Sequence, residues 1–349
     1  MELYSGICGS YPRPPELRKA IDRYEKGDIT KEELNSVYLK SLKIVIEIQE
    51  RAGLNIISSG LLMWDDLLRP FAKELEGIKL NGLLRFFDNN FYYRVPVIVD
   101  KIRRKKPITL NEAQNLAKHT TRLKKLVLPG PFTFIQLSKN EYYSSVKSLA
   151  DDILNILVDE IKDLVEFIDF LQIDEPSLVD SEIPIDNRRE GINLVNDLIS
   201  RTGIPKDKII VATYFRLDEQ SYQILLNVKA GLHIDIISTP REAFNALKEY
   251  GFKGDLISLG LVDSRNIKVE NVEEMANKAY DILDRIHAKA VIFSTNTWLD
   301  YIPFENARSK VEVLGKLLHI MRGEGSVSYT HLRAHETSLH LVCRLLLEK

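Results

Sequence analysis

Three histidines and a cysteine stand close together at the end of the chain. His331 and His335 are four apart, and His340 and Cys343 are three apart. On a helix each pair would share one face, a common way to present ligands to zinc. Further in, Gln172 and Asp174 are two apart, and so are His233 and Asp235. On strands this spacing puts each pair on one face. An amide, two carboxylates and an imidazole lining one cavity would suit acid–base chemistry. The same groups would equally form a satisfied polar network with no chemistry of its own. Asp174, at the mouth of its strand, is the one expected to contact a ligand. Near the start, Arg13 lies between two prolines, with Arg18 and Lys19 just beyond. Such cations in a loop beside a helix N-terminus are candidates for ligand contact, although Arg18 and Lys19 would serve as well as plain surface charges.

The tail breaks with the rest of the chain. Before Gly325 the sequence is rich in Ile, Lys, Asp and Glu; after it, Leu, His, Arg and Ser dominate. Residues 327–337 (VSYTHLRAHET) and 341–349 (LVCRLLLEK) resemble conceptual translations of the two fixed parts of a sequencing-library adapter, with residues 338–340 as the variable index. Residues 326–349 are therefore set apart from the fold, as any fusion scar would be, and the barrel-forming part is read as residues 1–325. Its remaining histidines, His119, His233, His287 and His319, are scattered, and Cys8 is its one cysteine. Zinc needs three or four converging ligands, and no cluster in residues 1–325 supplies them.

The 349 residues are 44% hydrophobic and 28% charged, with a net charge of -2. This is ordinary globular composition. The near-neutral charge gives no reason to expect nucleic acid or an acidic membrane as partner. No apolar run approaches the roughly 20 residues that cross a bilayer, and the N-terminus does not read as a signal peptide. With no disulfide framework, a cytoplasmic location is expected.

Elements that could position these residues recur along the chain. Short β-branched runs at residues 4–8, 55–59, 125–128, 170–173, 209–214, 232–237, 256–260 and 290–294 read as eight strands. Helical patterns lie between them. Thr30 and Glu33 form a capping box, and Gly53 stops that helix after Ala52. Thr239, Pro240 and Glu242 open another that ends near Gly251. A long amphipathic helix is read within residues 141–168, its acidic residues on a solvated face. The last runs from about Glu305 to Met321. The expected fold is α/β: a single (β/α)8 TIM barrel with a β-hairpin insertion (residues 83–100) after strand 2. A doubly wound sheet is the weaker alternative, because no glycine-rich phosphate loop follows the first strand. The hairpin's Phe86, Phe87, Phe91, Tyr92 and Tyr93 could stack a flat ring or dock a partner, while about half would pack the hairpin by alternation. The basic run at residues 101–106 would attract an acidic ligand or line a charged edge.

The loops after these strands resemble those of cobalamin-independent methionine synthase. Both homologous barrels of that family share GSYPRP (residues 9–14), GPFTF (130–134) and QIDEPSL (172–178). FFDNNFYYRVP, ATYF (212–215), GLHIDI (231–236), VDSRN (262–266) and LDYIP (299–303) favour its zinc-free N-terminal barrel. The resemblance implies methyl transfer from a folate-type donor, methyltetrahydrofolate with a polyglutamate tail, to homocysteine. It implies that Ser10, Arg13, Arg18, Lys19, Asp174, His233 and Asp235 face substrate. The zinc ligands of the catalytic barrel are absent: Ala212 and Tyr214, then Thr239 (or Ser238), then Thr297 stand in their places, and Leu61 replaces the carboxylate expected to hold the homocysteine amine. Zinc is not expected as a cofactor. A free thiol titrates near about 8.5, and zinc is what makes it a thiolate at neutral pH. Cys8, a lone cysteine on a first strand, is read as packing. The expected role is to bind the methyl donor and partner a separate zinc-bearing barrel. The alternatives are a self-sufficient enzyme, as in the related uroporphyrinogen decarboxylase-like barrels, and a non-catalytic structural companion.

Overall fold

A computed structural model describes residues 1–324 except Asp88 and Asn90. The metal-like grouping of His331, His335, His340 and Cys343, and the boundary at residue 325, lie outside the described residues. The strands are β1 (Glu2–Ser5), β2 (Ile56–Ser58), β3 (Glu76–Arg85), β4 (Tyr92–Arg103), β5 (Leu123–Pro129), β6 (Lys139–Asn140), β7 (Phe170–Asp174), β8 (Ile209–Ala212), β9 (Gly231–Asp235), β10 (Phe252–Val262) and β11 (Ile286–Thr295). One parallel sheet runs β1-β11-β10-β9-β8-β7-β5-β2, each strand beside its sequence neighbour in the barrel. This is the (β/α)8 barrel, with all eight expected strands present. β1 and β2 share no ladder among the described residues. The chain closes that seam just beyond them. The Tyr11 N–H donates to the Gly60 carbonyl at 2.8 Å.

Alternation along the strands separates two environments. Ile56, Phe170, Ile210, Leu256 and Ile292 form an apolar plug inside the barrel, distinct from the larger core between strands and helices. Two residues further along the same inward faces come Ser58, Gln172, Ala212, Ser258 and Ser294. Leu171, Ile173, Ile234 and Ile236 belong to the outer core instead. The barrel is thus apolar at its N-terminal floor and polar towards its mouth.

The insertion is the expected hairpin: β3 pairs antiparallel with β4, and the short β6, not anticipated from sequence, adds a third strand. Gly77 lies at a register shift of this pair with φ +81°. A Cβ there would come within 2.6 Å of the Asp100 carbonyl, so glycine is required. The helix Lys31–Arg51 carries its capping box at Thr30 and Glu33 as expected. Thr239 precedes the helix Pro240–Tyr250 but does not cap it; its hydroxyl bonds to the N–H and carbonyl of Leu217. The long acidic helix is Val146–Leu164, and one of its carboxylates is not solvated. Glu160 is fully buried, bound by Arg104, the Thr109 hydroxyl and the N–H groups of Ile108 and Thr109. No helix among the described residues is long and apolar enough to cross a membrane.

Candidate functional site

Glycines set the loops at the barrel mouth. A Cβ on Gly9 would come within 2.1 Å of Trp298 Cδ1, so the first loop accepts the indole of the last only without a side chain there. The same holds for Gly130 beneath Glu175. Glu175 accepts hydrogen bonds from the N–H groups of Phe132 and Thr133 at 2.9 and 2.7 Å. Burial pushes its carboxyl up to about 7 against those donors. These pairings explain why GPFTF and DEPS, or GSYPRP and the tryptophan loop, belong together.

Inside the barrel the two period-two pairs meet the same interior. Asp174 is fully buried. Its Oδ1 accepts from Gln172 Nε2 at 2.7 Å, and its Oδ2 accepts from Trp298 Nε1 at 2.9 Å and the Tyr214 hydroxyl at 3.1 Å. Burial pushes Asp174 up to about 6, opposed by those donors and by the Lys125 charge. His233 lies between the Ser258 hydroxyl (2.9 Å) and the Asn296 carbonyl (3.1 Å), and burial pushes it down to about 4, leaving a neutral imidazole at pH 7. Asp235 accepts from the N–H groups of Phe215, Ile237 and Ser238 and from the Ser238 hydroxyl. Burial pushes Asp235 up, and these donors hold it back. All three groups are buried and hydrogen-bonded within the protein. That arrangement suits a network that shapes the barrel better than a solvent-reachable acid and base.

The first-loop residues divide. Arg13 is committed: Nε donates to the Leu62 carbonyl at 2.7 Å, and Nη2 to the Trp64 carbonyl at 2.7 Å and Asp65 Oδ1 at 2.9 Å. It holds the loop after β2, where Leu61 has φ +50°. Ser10 is buried near Asp300, whose carboxyl burial pushes up to about 6. Arg18 and Lys19 are exposed on the helix Pro15–Glu25. Lys19 lines a groove on its outer side with Arg23 and Glu33, not the mouth.

The open space is elsewhere. A cleft of about 1200 Å³ lies over the ends of β7 to β10, and Arg85, Tyr214, Phe215, Arg216, Ser238 and Arg265 are among its walls. Phe215 has φ +82°, a strained conformation for a bulky residue. Its N–H bond to Asp235 and the rings of Phe86, Phe87, Tyr214 and Tyr301 hold it there. The hairpin's Phe86 and Tyr93 pack as alternation suggests, while Tyr92 is exposed. Arg265 lies over the Phe215 ring at 5.7 Å. Arg216 bonds the Ser181 hydroxyl and lies 3.5 Å from Asp218. Sequence reading assigned no role to Arg85, Arg216 or Arg265, although Arg265 sits inside VDSRN. The basic run instead pairs with acidic neighbours, Arg104 with Glu160 and Lys106 with Glu74.

The donor set does not fit zinc. Ala212 offers a methyl, the Tyr214 phenol is spent on Asp174, and Ser238, Thr239 and Thr297 offer hydroxyls. Among the described residues no three His, Cys, Asp or Glu side chains gather as metal ligands would.

The chain is similar to known proteins in sequence and in fold. Residues 76–289 match the family described as "Cobalamin-independent synthase, N-terminal domain". The chain is 30% identical over 334 residues to a methionine synthase of Sulfurisphaera tokodaii, covering 92% of this chain and 93% of that one. It is 29% identical over 326 residues to one of Sulfolobus acidocaldarius, covering 92% and 91%. A B12-independent methionine synthase from a Shewanella species, solved with selenomethionine, shares the fold with a TM-score of 0.77 at 22% identity, over 93% of this chain and 99% of that one. A putative vitamin-B12 independent methionine synthase from Listeria monocytogenes does so with 0.72 at 18%, over 92% and 98%. A family match across most of the barrel, with relatives aligned nearly end to end, places this chain in the cobalamin-independent methionine synthase family.

Proposed function

We propose that this barrel binds the methyl donor, a methyltetrahydrofolate with an acidic polyglutamate tail, and works in methionine formation beside a separate zinc-bearing barrel. The observation that carries this reading is the contrast between mouth and interior. The open cleft is walled by Arg216 and Arg265, with Asp180, Glu182 and Asp263 also in its lining, whereas the Asp174 and Asp235 carboxylates and the His233 imidazole beneath it are buried in hydrogen bonds. Arginine is well suited to carboxylates because its planar fork donates two parallel hydrogen bonds. The acidic tail is assigned to these arginines. Arg13 would act indirectly, by holding the loop after β2, and Ser10 by its place beside Asp300. Arg18 and Lys19 would contribute only to the surface charge. A soluble, cytoplasmic setting follows from the same reading.

The test is calorimetric titration with mono- and triglutamate forms of methyltetrahydrofolate. The triglutamate should bind more tightly, the preference should shrink with salt, and Arg216→Ala with Arg265→Ala should weaken it by about tenfold each, or about 1.4 kcal/mol per site. Methionine produced from homocysteine by this chain alone with added zinc would overturn the division of labour. Equal affinity for the two ligand forms would overturn the assignment of the tail.

A further inference from the structure

Lys125 lies in the barrel interior with 3% of its surface exposed. It projects from β5 above the apolar plug. Its Nζ donates to the Ile7 carbonyl at 2.7 Å, the Cys8 carbonyl at 3.3 Å and Gln172 Oε1 at 2.5 Å. These acceptors match the three protons of an ammonium. All three are uncharged, and a buried ammonium is costly without an anion to balance it. The anion lies one amide away. Gln172 Nε2 donates to Asp174 Oδ1 at 2.7 Å. Because an ammonium can only donate, it turns the Gln172 oxygen towards itself and so turns the NH2 towards the carboxylate. The other Asp174 oxygen accepts from the Tyr214 hydroxyl, and Tyr214 walls the cleft. A continuous line of hydrogen bonds therefore runs from Lys125, above the apolar plug, to the open site.

We infer that Lys125 is a positioning residue for the cleft: it turns the Gln172 amide towards Asp174, and the Asp174 carboxylate in turn anchors the Tyr214 ring that forms the cleft wall. The inference deepens the proposed ligand site and rests on it only for the binding measurement. The titratable groups facing this line are Cys8, Glu175, Tyr214, His233 and Tyr301. Burial pushes the thiol and both phenols well up and the imidazole down, so these four are neutral at pH 7. Burial pushes Lys125 itself down while the Asp174 charge holds it up, and Lys125 is the positive charge that opposes burial at Asp174. Glu175, pushed up to about 7, acts against it.

The experiment follows the Asp174 carboxyl by carbon NMR across pH in Asp-labelled protein, with Asp174→Asn to assign the resonance. In Lys125→Met and in Gln172→Leu the titration midpoint should rise by about one pH unit or more. Binding of methyltetrahydrofolate triglutamate should then weaken at pH 7 and recover at higher pH, whereas the wild type stays flat over that interval. A folded Lys125→Met protein with an unshifted midpoint overturns the inference. If that variant does not fold, Gln172→Leu decides by the same criterion. A shifted midpoint in a protein whose wild type binds no folate leaves the relay standing and removes the proposed function instead.

Discussion

The Glu175 carboxylate occupies the space that a side chain at position 130 would need: a Cβ on Gly130 would lie 2.1 Å from Glu175 Cδ. The carboxylate is there because two backbone N–H groups, of Phe132 and Thr133, open the short helix Pro131–Gln136 and have no helical partner of their own. Gly130→Ala should push Glu175 off these donors and leave a buried carboxylate unsatisfied. A loss of about 3–5 kcal/mol in urea unfolding is expected. A loss below about 1 kcal/mol, the scale of an ordinary small substitution, would mean that the loop yields without displacing Glu175.

Arg13, Arg18 and Lys19 should separate cleanly. Arg13→Ala removes three hydrogen bonds to the loop after β2, one of them to Asp65, whose carboxyl is held low by Arg13, Lys73 and Arg69 against the upward push of burial. A cost of about 2–3 kcal/mol is expected, with faster amide exchange in residues 61–66. Arg18→Ala and Lys19→Ala should each stay within about 0.5 kcal/mol. Equal effects at all three positions would show that Arg13 is not the anchor of this loop.

Much of this was legible in the one-dimensional pattern, and the exceptions share a cause. The eight strands stand out because buried parallel strands are short β-branched runs. The shared faces of Gln172 with Asp174 and of His233 with Asp235 follow from period two alone. What was hidden depends on partners far away in the chain. Lys125 reads only as the first residue of a strand until Ile7, Cys8 and Gln172 supply its acceptors. Glu160 reads as part of a solvated helix face until Arg104 and Thr109 cover it. Arg13 reads as a loop cation between two prolines, and its acceptors, around 50 positions on, are not visible in the local sequence. Periodicity reports which face a residue takes; it does not report whether that face is closed by another loop.

Lys310 should govern the loop that carries Arg265. Its fully buried Nζ donates to Glu270 Oε1 at 2.7 Å and to the Lys268 carbonyl, and the same Glu270 oxygen accepts the Asp263 N–H at 2.9 Å. Lys310→Met would leave Glu270 without its cation, at about 3–5 kcal/mol. Lys310→Met with Glu270→Gln should recover part of that, because no uncompensated charge remains. Ligand affinity at the cleft should fall in the single variant by more than in an exposed control such as Lys19→Ala. A stable single variant with wild-type affinity would show that the pair does not hold the loop.

His233 predicts the direction of an acid response. Burial, with a smaller contribution from the Lys125 charge, pushes it down to about 4, against the Asn296 carbonyl, which favours the charged form. A group depressed in the folded state contributes stability that is complete above its unfolded value, near 6.5, and is lost as pH falls towards 4. Asp174 and Asp300, pushed up to about 6, and Glu175, up to about 7, act in the opposite sense. Their contribution is complete below the ordinary carboxylate range and is lost as pH rises through those values. The wild-type curve alone therefore mixes the two. The difference between wild type and His233→Gln isolates the imidazole, since the carboxylates are common to both. That difference should shrink by about 2 kcal/mol between pH 7 and pH 5, the linkage expected for a shift of this size. A difference that stays constant over this interval would mean that His233 gains its proton without cost, and hence that the Ser258 and Asn296 contacts do not enclose it.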